Sequence, residues 1–477
     1  MRIVMLPNIG LSNIHADSDY YDFMKFITVA QKFYKDMFFY LVVPTRHMDK
    51  VDKLDRTAVI GLDETRDFTT NEMMTSQDFM LKFHARGGTI ITDALYTSRH
   101  HFGLFWKNAV CDQKRQYEYP VIFRQPVLYP CRPGMINHYD AVYALATVVC
   151  ETIIDGDESF REVRQRVEQY LSPKMLEMFD KQTMVSTVGL EIEHFEALLK
   201  KNRKHDKFTL FYGTRFNTTK RVEKVYEIYD KLYSSGRAID IVMTTPNPDL
   251  TIKKKKFTHE YLQGCIRLFY TDCGRFKYFE EASKCHAFLV TSDGENAPNF
   301  FVEQIYLGLI GVLPDKPYVW EMLPKDYPFI YRSKDEAYMW LAQIAGNYEH
   351  YRQQLEPYRQ FIKEKYQKEL TFKRNVDFVR ELAFGYADKN IREAPNKLIT
   401  EIVREVLLEF DRPFAFDAFI QIVNKRLFLK ARTGRPEQIQ HRQATLSDIR
   451  YALMAEGYED TCESEQPVFR KLQESMV

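Results

Sequence analysis

The strongest constraint on the fold is an alternation of short apolar runs with amphipathic stretches that breaks off and then begins again. "RIVMLP", "FFYLVVP", "TAVIGL", "GTIITDALY" and "YPVIFRQPVLYP" read as strands, and "DFMKFITVAQKFYKDM" has the apolar spacing of a helix. The stretch from Glu158 to Leu199 is charged and helical, with a break near Ser186 to Gly189. "KKNRKHDK" follows and reads as a solvated linker. The same grammar then restarts. "FTLFYG", "AIDIVMTT", "IRLFY", "AFLVTS" and "IGVLP" are strands, separated by the helices "KRVEKVYEIYDKLYSSG", "FKYFEEASKC" and "FVEQIYLGL". Strands alternating with helices build a parallel sheet covered on both faces. A long helical stretch from Lys334 to Gly385 closes the second series.

The last ninety or so residues change character. "NKLITEIVREVLLEF", "FAFDAFIQIVNKRLFL" and "TLSDIRYALMAEG" read as three helices, and "YEDTCESEQPVFRKL" as two short strands joined by a polar turn. At roughly 150 residues per unit, 477 residues make about three domains. We expect boundaries at 1–200, 201–388 and 389–477. The fold class follows as α/β, with two Rossmann-like domains facing a cleft and a C-terminal, mostly helical, winged-helix-like domain.

Composition excludes some functions and leaves others open. Lys+Arg of 67 against Asp+Glu of 66 gives a net charge of +1, so any basic surface must be local. No apolar run approaches the roughly 18 residues that span a membrane. "MRIVMLPNIG" is broken too early by Pro7 to serve as a signal peptide. The seven cysteines stand singly, without a CxxC pair, and read as reduced thiols of a cytoplasmic protein. Two Asp-x-Asp triplets, Asp17/Asp19 and Asp155/Asp157, read as solvated loops, and no metal site is expected.

The chemistry concentrates in "TSDGENAPNFFVEQIYLGLIGV". A strand ends at Ser292, a loop carries Glu295, and a helix opening near Pro298 carries Glu303. Ligands of parallel sheets bind beyond the carboxyl ends of the strands. A helix start presents unpaired N–H groups that suit a phosphate. Pro298 fits a first helical turn because it needs no N–H there. Two carboxylates flanking an anion site make sense if each binds hydroxyls, one set on a sugar and one on a ribose.

Ser292, Glu295, Pro298, Asn299, Glu303 and Gly308 resemble, in register, the donor signature of retaining nucleotide-sugar glycosyltransferases of the GT-B type. Asn296, Ala297 and Gln304 depart from that pattern. "FYGTRFNTTK" resembles the family's glycine, Arg, four residues, Lys. The likeness covers Phe208 to Pro314 well and the tail not at all. It implies a metal-independent enzyme that needs no cofactor and takes a UDP-linked sugar as co-substrate. It implies Glu295, Arg215 and Lys220 as the catalytic set, with the two cations on the diphosphate. Donor binding is implied for Gly10, Gly274, Arg275, Phe276, Pro298, Asn299, Phe300 and Glu303, with the loop 274–276 meeting the base through its backbone.

The acceptor is read from the tail. From Lys425 to Arg450 there are seven cations (Lys425, Arg426, Lys430, Arg432, Arg435, Arg442 and Arg450) against two acids. Such an excess can supply phosphate contacts. Joined to a glycosyltransferase, it points to a hydroxyl on a modified pyrimidine of double-stranded DNA, as in bacteriophage enzymes that mask a genome inside the host cytoplasm. His100 and His101, after "TIITDALY", are candidates for acceptor binding. Two alternatives stand beside this reading. One is transfer to a glycan, a lipid-linked sugar or a protein, with the tail holding a partner. The other is a non-catalytic DNA-binding protein on a glycosyltransferase-like scaffold.

Overall fold

The computed structural model describes residues 1–9, 14–62, 90–98, 118–124, 150–214, 220–236, 239–245, 266–270, 274–295, 298–393, 397–408, 414–433, 446–460 and 468–471. The first unit has seven strands: β1 (Arg2–Leu6), β2 (Phe38–Pro44), β3 (Thr57–Leu62), β4 (Ala94–Thr97), β5 (Val121–Arg124), β6 (Glu151–Asp155) and β7 (Thr183–Ser186). They pair in the order β3-β2-β1-β4-β5-β6-β7, every pair parallel. Period-2 alternation splits β1 between two cores. Ile3 and Met5 enter the layer with α1 (Ser18–Phe33). Val4 and Leu6 enter the layer with α2 (Asp157–Glu168) and α3 (Pro173–Gln182). β7 corrects the expected helical stretch from Glu158 to Leu199. The chain makes two helices, a strand, and then α4 (Ile192–Lys201).

The second unit repeats the plan. β8 (Thr209–Tyr212), β9 (Asp240–Thr245), β10 (Ile266–Tyr270), β11 (Ala287–Leu289), β12 (Ile310–Pro314) and β13 (Ile330–Tyr331) pair as β10-β9-β8-β11-β12-β13, again all parallel. α5 (Val222–Ser234) ends at Gly236, whose φ of 76° is the left-handed turn expected there. α6 (Arg275–Lys284), α7 (Asn299–Tyr306) and α8 (Pro317–Met322) follow their strands in turn. Both sheets carry the strand order of a doubly wound fold, so each has its switch point between its first and fourth strands.

α9 (Lys334–Gly346), α10 (Tyr348–Gln353) and α11 (Glu356–Tyr366) stay with the second unit. α12 (Lys368–Glu393) returns to the first, where Phe372, Val376, Val379 and Ala383 join the α1 core. The chain therefore crosses between the units twice, and the crossings are bonded together. Leu190 N donates to Tyr366 O at 2.7 Å, and Lys368 N to Leu190 O at 3.2 Å. The linker reading of 200–207 needs correction in part. Lys204 Nζ donates to the Cys285 carbonyl at 2.5 Å, and burial brings its pKa down to about 7.

The tail forms α13 (Lys397–Leu407), α14 (Phe416–Thr433) and α15 (Leu446–Ala455), as expected. They pack with a three-stranded antiparallel sheet, β14 (Phe414–Ala415), β16 (Val468–Lys471) and β15 (Tyr458–Asp460) in that order. Its core takes in Ile91 of the first unit. Among the described residues, no helix is long and apolar enough to cross a membrane.

Candidate functional site

The residues after β8 and β11 lie at the switch point of the second sheet, and they close on each other. Lys220 Nζ forms an ion pair with both oxygens of Glu295, whose side chain is 9% exposed. The backbone beneath is fixed. The Lys220 carbonyl accepts from Thr291 Oγ1 at 2.7 Å and from Tyr212 Oη at 3.1 Å. Arg221 takes a left-handed φ of 49°, and Arg221 and Lys224 both pair with Asp293. Three ion pairs thus tie loop 293–295 to segment 220–224. Pro298 stands one position earlier than expected. It is the extended residue before α7, and Asn299 opens the helix.

Glu303, on α7, is 2% exposed and bonds to Arg275 Nη2. Gly274 reaches a φ of 81° just before α6, and Arg275 is that helix's first residue. The Arg275 guanidinium lies 5.2 Å from the Phe279 ring and 4.4 Å from the ring of Tyr21, which belongs to α1 of the other unit. Burial opposes its charge, yet the Glu303 carboxylate raises its pKa overall. The side chain of Arg275 is therefore spent on a carboxylate, a role the loop reading missed. Phe276 is 60% exposed and meets His194 edge-on. Phe300 is half-buried, and the side-chain oxygen of Asn299 is buried without a hydrogen-bond partner.

A layer of tyrosines behind the site was not visible in the sequence. Tyr318 Oη donates to the Ser292 carbonyl at 2.9 Å and Tyr331 Oη to the Val290 carbonyl at 2.6 Å. Tyr278 Oη donates to the Gly213 carbonyl at 3.1 Å and accepts from Gln304 Nε2 at 2.9 Å. Each buried phenol spends its hydroxyl on a backbone turn that shapes the loops. The 30 tyrosines were a signal of kind but not of place.

Facing this site, the first turn of α1 corrects the reading of the Asp-x-Asp triplets as solvated. Asp17 is buried and caps α1 by accepting from Asp19 N at 2.9 Å. Asp19 Oδ2 accepts from Asn8 N at 2.5 Å and from Ser98 Oγ. Burial, with help from the Asp17 and Asp22 carboxylates, outweighs those bonds and lifts the Asp19 pKa to about 7. Asp155 is buried against Arg124 in a two-pronged pair at 2.7 and 2.5 Å. His15 lies beside Gly274, where a Cβ on that glycine would come 3.5 Å from the His15 Cβ.

Arg215, Gly10, His100, His101, Arg435 and Arg442 fall outside the described residues. α14 carries Lys425, Arg426, Lys430 and Arg432; Lys425 is exposed and Arg426 half-buried. Arg450 does not belong with them. It is 5% exposed and donates to Asp93 Oδ1 at 2.5 Å, so the basic count of the tail is one cation too high as a surface charge.

With this geometry in place, comparison with solved structures is informative. Sucrose-phosphate synthase from Thermosynechococcus elongatus superposes with a TM-score of 0.62 at 12% identity, over 80% of this chain and 99% of that one. The fold is that of the two-domain GT-B glycosyltransferases. HepE from Anabaena, in complex with UDP-glucose, matches with a TM-score of 0.57 at 11% identity, over 80% of this chain and 99% of HepE. A UDP-forming trehalose-phosphate synthase from Burkholderia xenovorans gives 0.57 at 10% identity, over 80% and 99%. No family profile and no curated protein matches the sequence.

Proposed function

We propose that this chain is a glycosyltransferase that takes a UDP-linked sugar at the switch point of its second sheet. The observation that carries the reading is the pairing of Glu295 with Lys220 beside Glu303 and the start of α7. A carboxylate for sugar hydroxyls, a cation for the diphosphate and a carboxylate for the ribose stand in the order the sequence resemblance implies. Solved structures of the same fold that hold UDP and UDP-glucose support this choice of donor. In the reaction we propose, the bond from the sugar to the diphosphate oxygen breaks. The acceptor oxygen attaches on the same face, and its proton passes to the leaving diphosphate. The configuration is retained, and no metal is needed. Lys220, with Arg215, stabilises the charge that develops on the diphosphate. Glu295 orients the sugar.

For the acceptor, the cations of α14 support a hydroxylated or hydroxymethylated pyrimidine in duplex DNA, bound through phosphate contacts. A second reading is favoured by the place where the tail is attached. Asp93, which anchors it through Arg450, and Arg2, whose N–H donates to Asp93, lie at the amino ends of the first sheet's strands, away from the carboxyl ends that face the donor loops. That placement suits a glycan, a lipid-linked sugar or a protein acceptor, with the tail serving another contact. The experiment is to incubate the protein with unmodified and hydroxymethylated DNA and a panel of UDP-sugars, then weigh the digested nucleosides. A sugar-sized gain on hydroxymethylcytosine supports the DNA reading. Transfer to a glycan with no gain on any DNA rejects it, and no transfer or donor turnover at all rejects the enzyme.

A further inference from the structure

The Arg275 guanidinium touches both units. It bonds to Glu303, and it lies over the ring of Tyr21 at 4.4 Å. Tyr21 is itself braced. Lys25 Nζ sits 4.4 Å from the same ring, and that ammonium donates to the Gly189 carbonyl at 2.7 Å in the segment that crosses between the units. Two atoms at this junction have no hydrogen-bond partner although they are buried: Arg275 Nε and Tyr21 Oη. An N–H donor left this way costs stability unless a ligand oxygen completes it. The Tyr21 hydroxyl does no bonding, so the ring face is what Tyr21 offers.

We propose that Tyr21 is a positioning residue for the nucleotide half of the donor, holding Arg275 against Glu303 from the opposite domain. This rests on the donor reading above and deepens it. A carboxylate that must accept ribose hydroxyls is useful only if its direction is fixed, and Arg275 fixes it. Arg275 stays in place because the rings of Tyr21 and Phe279 both lie against its guanidinium, at 4.4 and 5.2 Å. Nucleoside diphosphate affinity therefore depends on a side chain of the first domain, although Lys220, Arg275 and Glu303 belong to the second. Arg275 Nε supplies one further donor for an oxygen of the nucleotide.

The test is calorimetric titration of UDP into the full-length protein and its variants, with melting temperature measured alongside. Tyr21→Leu is expected to raise the UDP Kd roughly tenfold. Tyr21→Phe keeps the ring and is expected to bind as the parent does. In an Arg275→Met background, Tyr21→Leu is expected to have no further effect on Kd, because the residue it acts through is gone. If Tyr21→Leu lowers the melting temperature but leaves Kd alone, Tyr21 is merely structural and the proposal fails. It fails equally if the Tyr21 and Arg275 effects add. A parent protein that binds no UDP overturns the donor reading itself, and this inference with it.

Discussion

The carboxylates of this protein divide by their partners, and the partner decides what each can do. Glu295 and Glu303 each face a cation, Lys220 and Arg275. Among the described residues, Asp19 has no cation beside it and sits near Asp17 and Asp22. Its pKa of about 7 means the folded protein keeps a proton that the unfolded chain has released between about pH 4 and pH 7. Stability must fall as pH rises through that window. Asp19→Asn removes the slope, and at pH 8 the variant is expected to be more stable than the parent by on the order of 1–3 kcal/mol. Urea unfolding at pH 5 and pH 8 measures both terms. At this scale the sequence singled out Glu295, Lys220 and Glu303 through a family resemblance carried on short segments, and the structure pairs the first two with each other. It was silent on Arg275 to Glu303 and on Tyr21 to Arg275. Those contacts join residues far apart in the chain, and no local pattern encodes them.

At the scale of elements, parallel strands could be read from apolar runs because both faces of the sheets are buried. β7 was lost because Thr183–Ser186 is only four residues long and continues directly from α3. β14, with two residues, left no periodicity to detect. The joint between the units shows what an element end can do. Glu321, on α8, accepts from Glu158 N at 2.7 Å, so a carboxylate of the second unit completes the start of α2 in the first. Gly156, just before α2, has a φ of 94°, and a Cβ there would stand 2.5 Å from the Glu321 carboxylate. Gly156→Ala is therefore expected to cost about 1–3 kcal/mol through backbone strain and displacement of Glu321. Thermal melts check this, with Glu321→Gln as the control that keeps the shape of the group in contact.

At the scale of the whole molecule, the tail is fastened to the first unit rather than strung after the second. Asp93 accepts from Arg450 at 2.5 Å and from Arg2 N at 2.6 Å. Burial opposes its ionisation, but Arg450 holds the carboxyl below the usual carboxylate range. Asn390 bonds to Glu118 and to Tyr451 beside it. Asp93→Asn leaves the Arg450 charge buried without its carboxylate, and is expected to cost about 3–5 kcal/mol in chemical denaturation. Deleting residues 390–477 uncovers Ile91 and Asp93, so a soluble, well-folded truncation would argue against this attachment. The charge count alone could not separate Arg450 from its neighbours, since burial decides which cations face solvent.

We place the proposed UDP-sugar site between loop 293–295 and segment 220–224. The most direct measurement is UDP release from a panel of UDP-sugars by the parent protein and by Glu295→Gln and Lys220→Met. The parent is expected to release UDP from at least one of them, and each variant to do so about a hundredfold more slowly. No release from any UDP-sugar, or release unchanged by both substitutions, would contradict it.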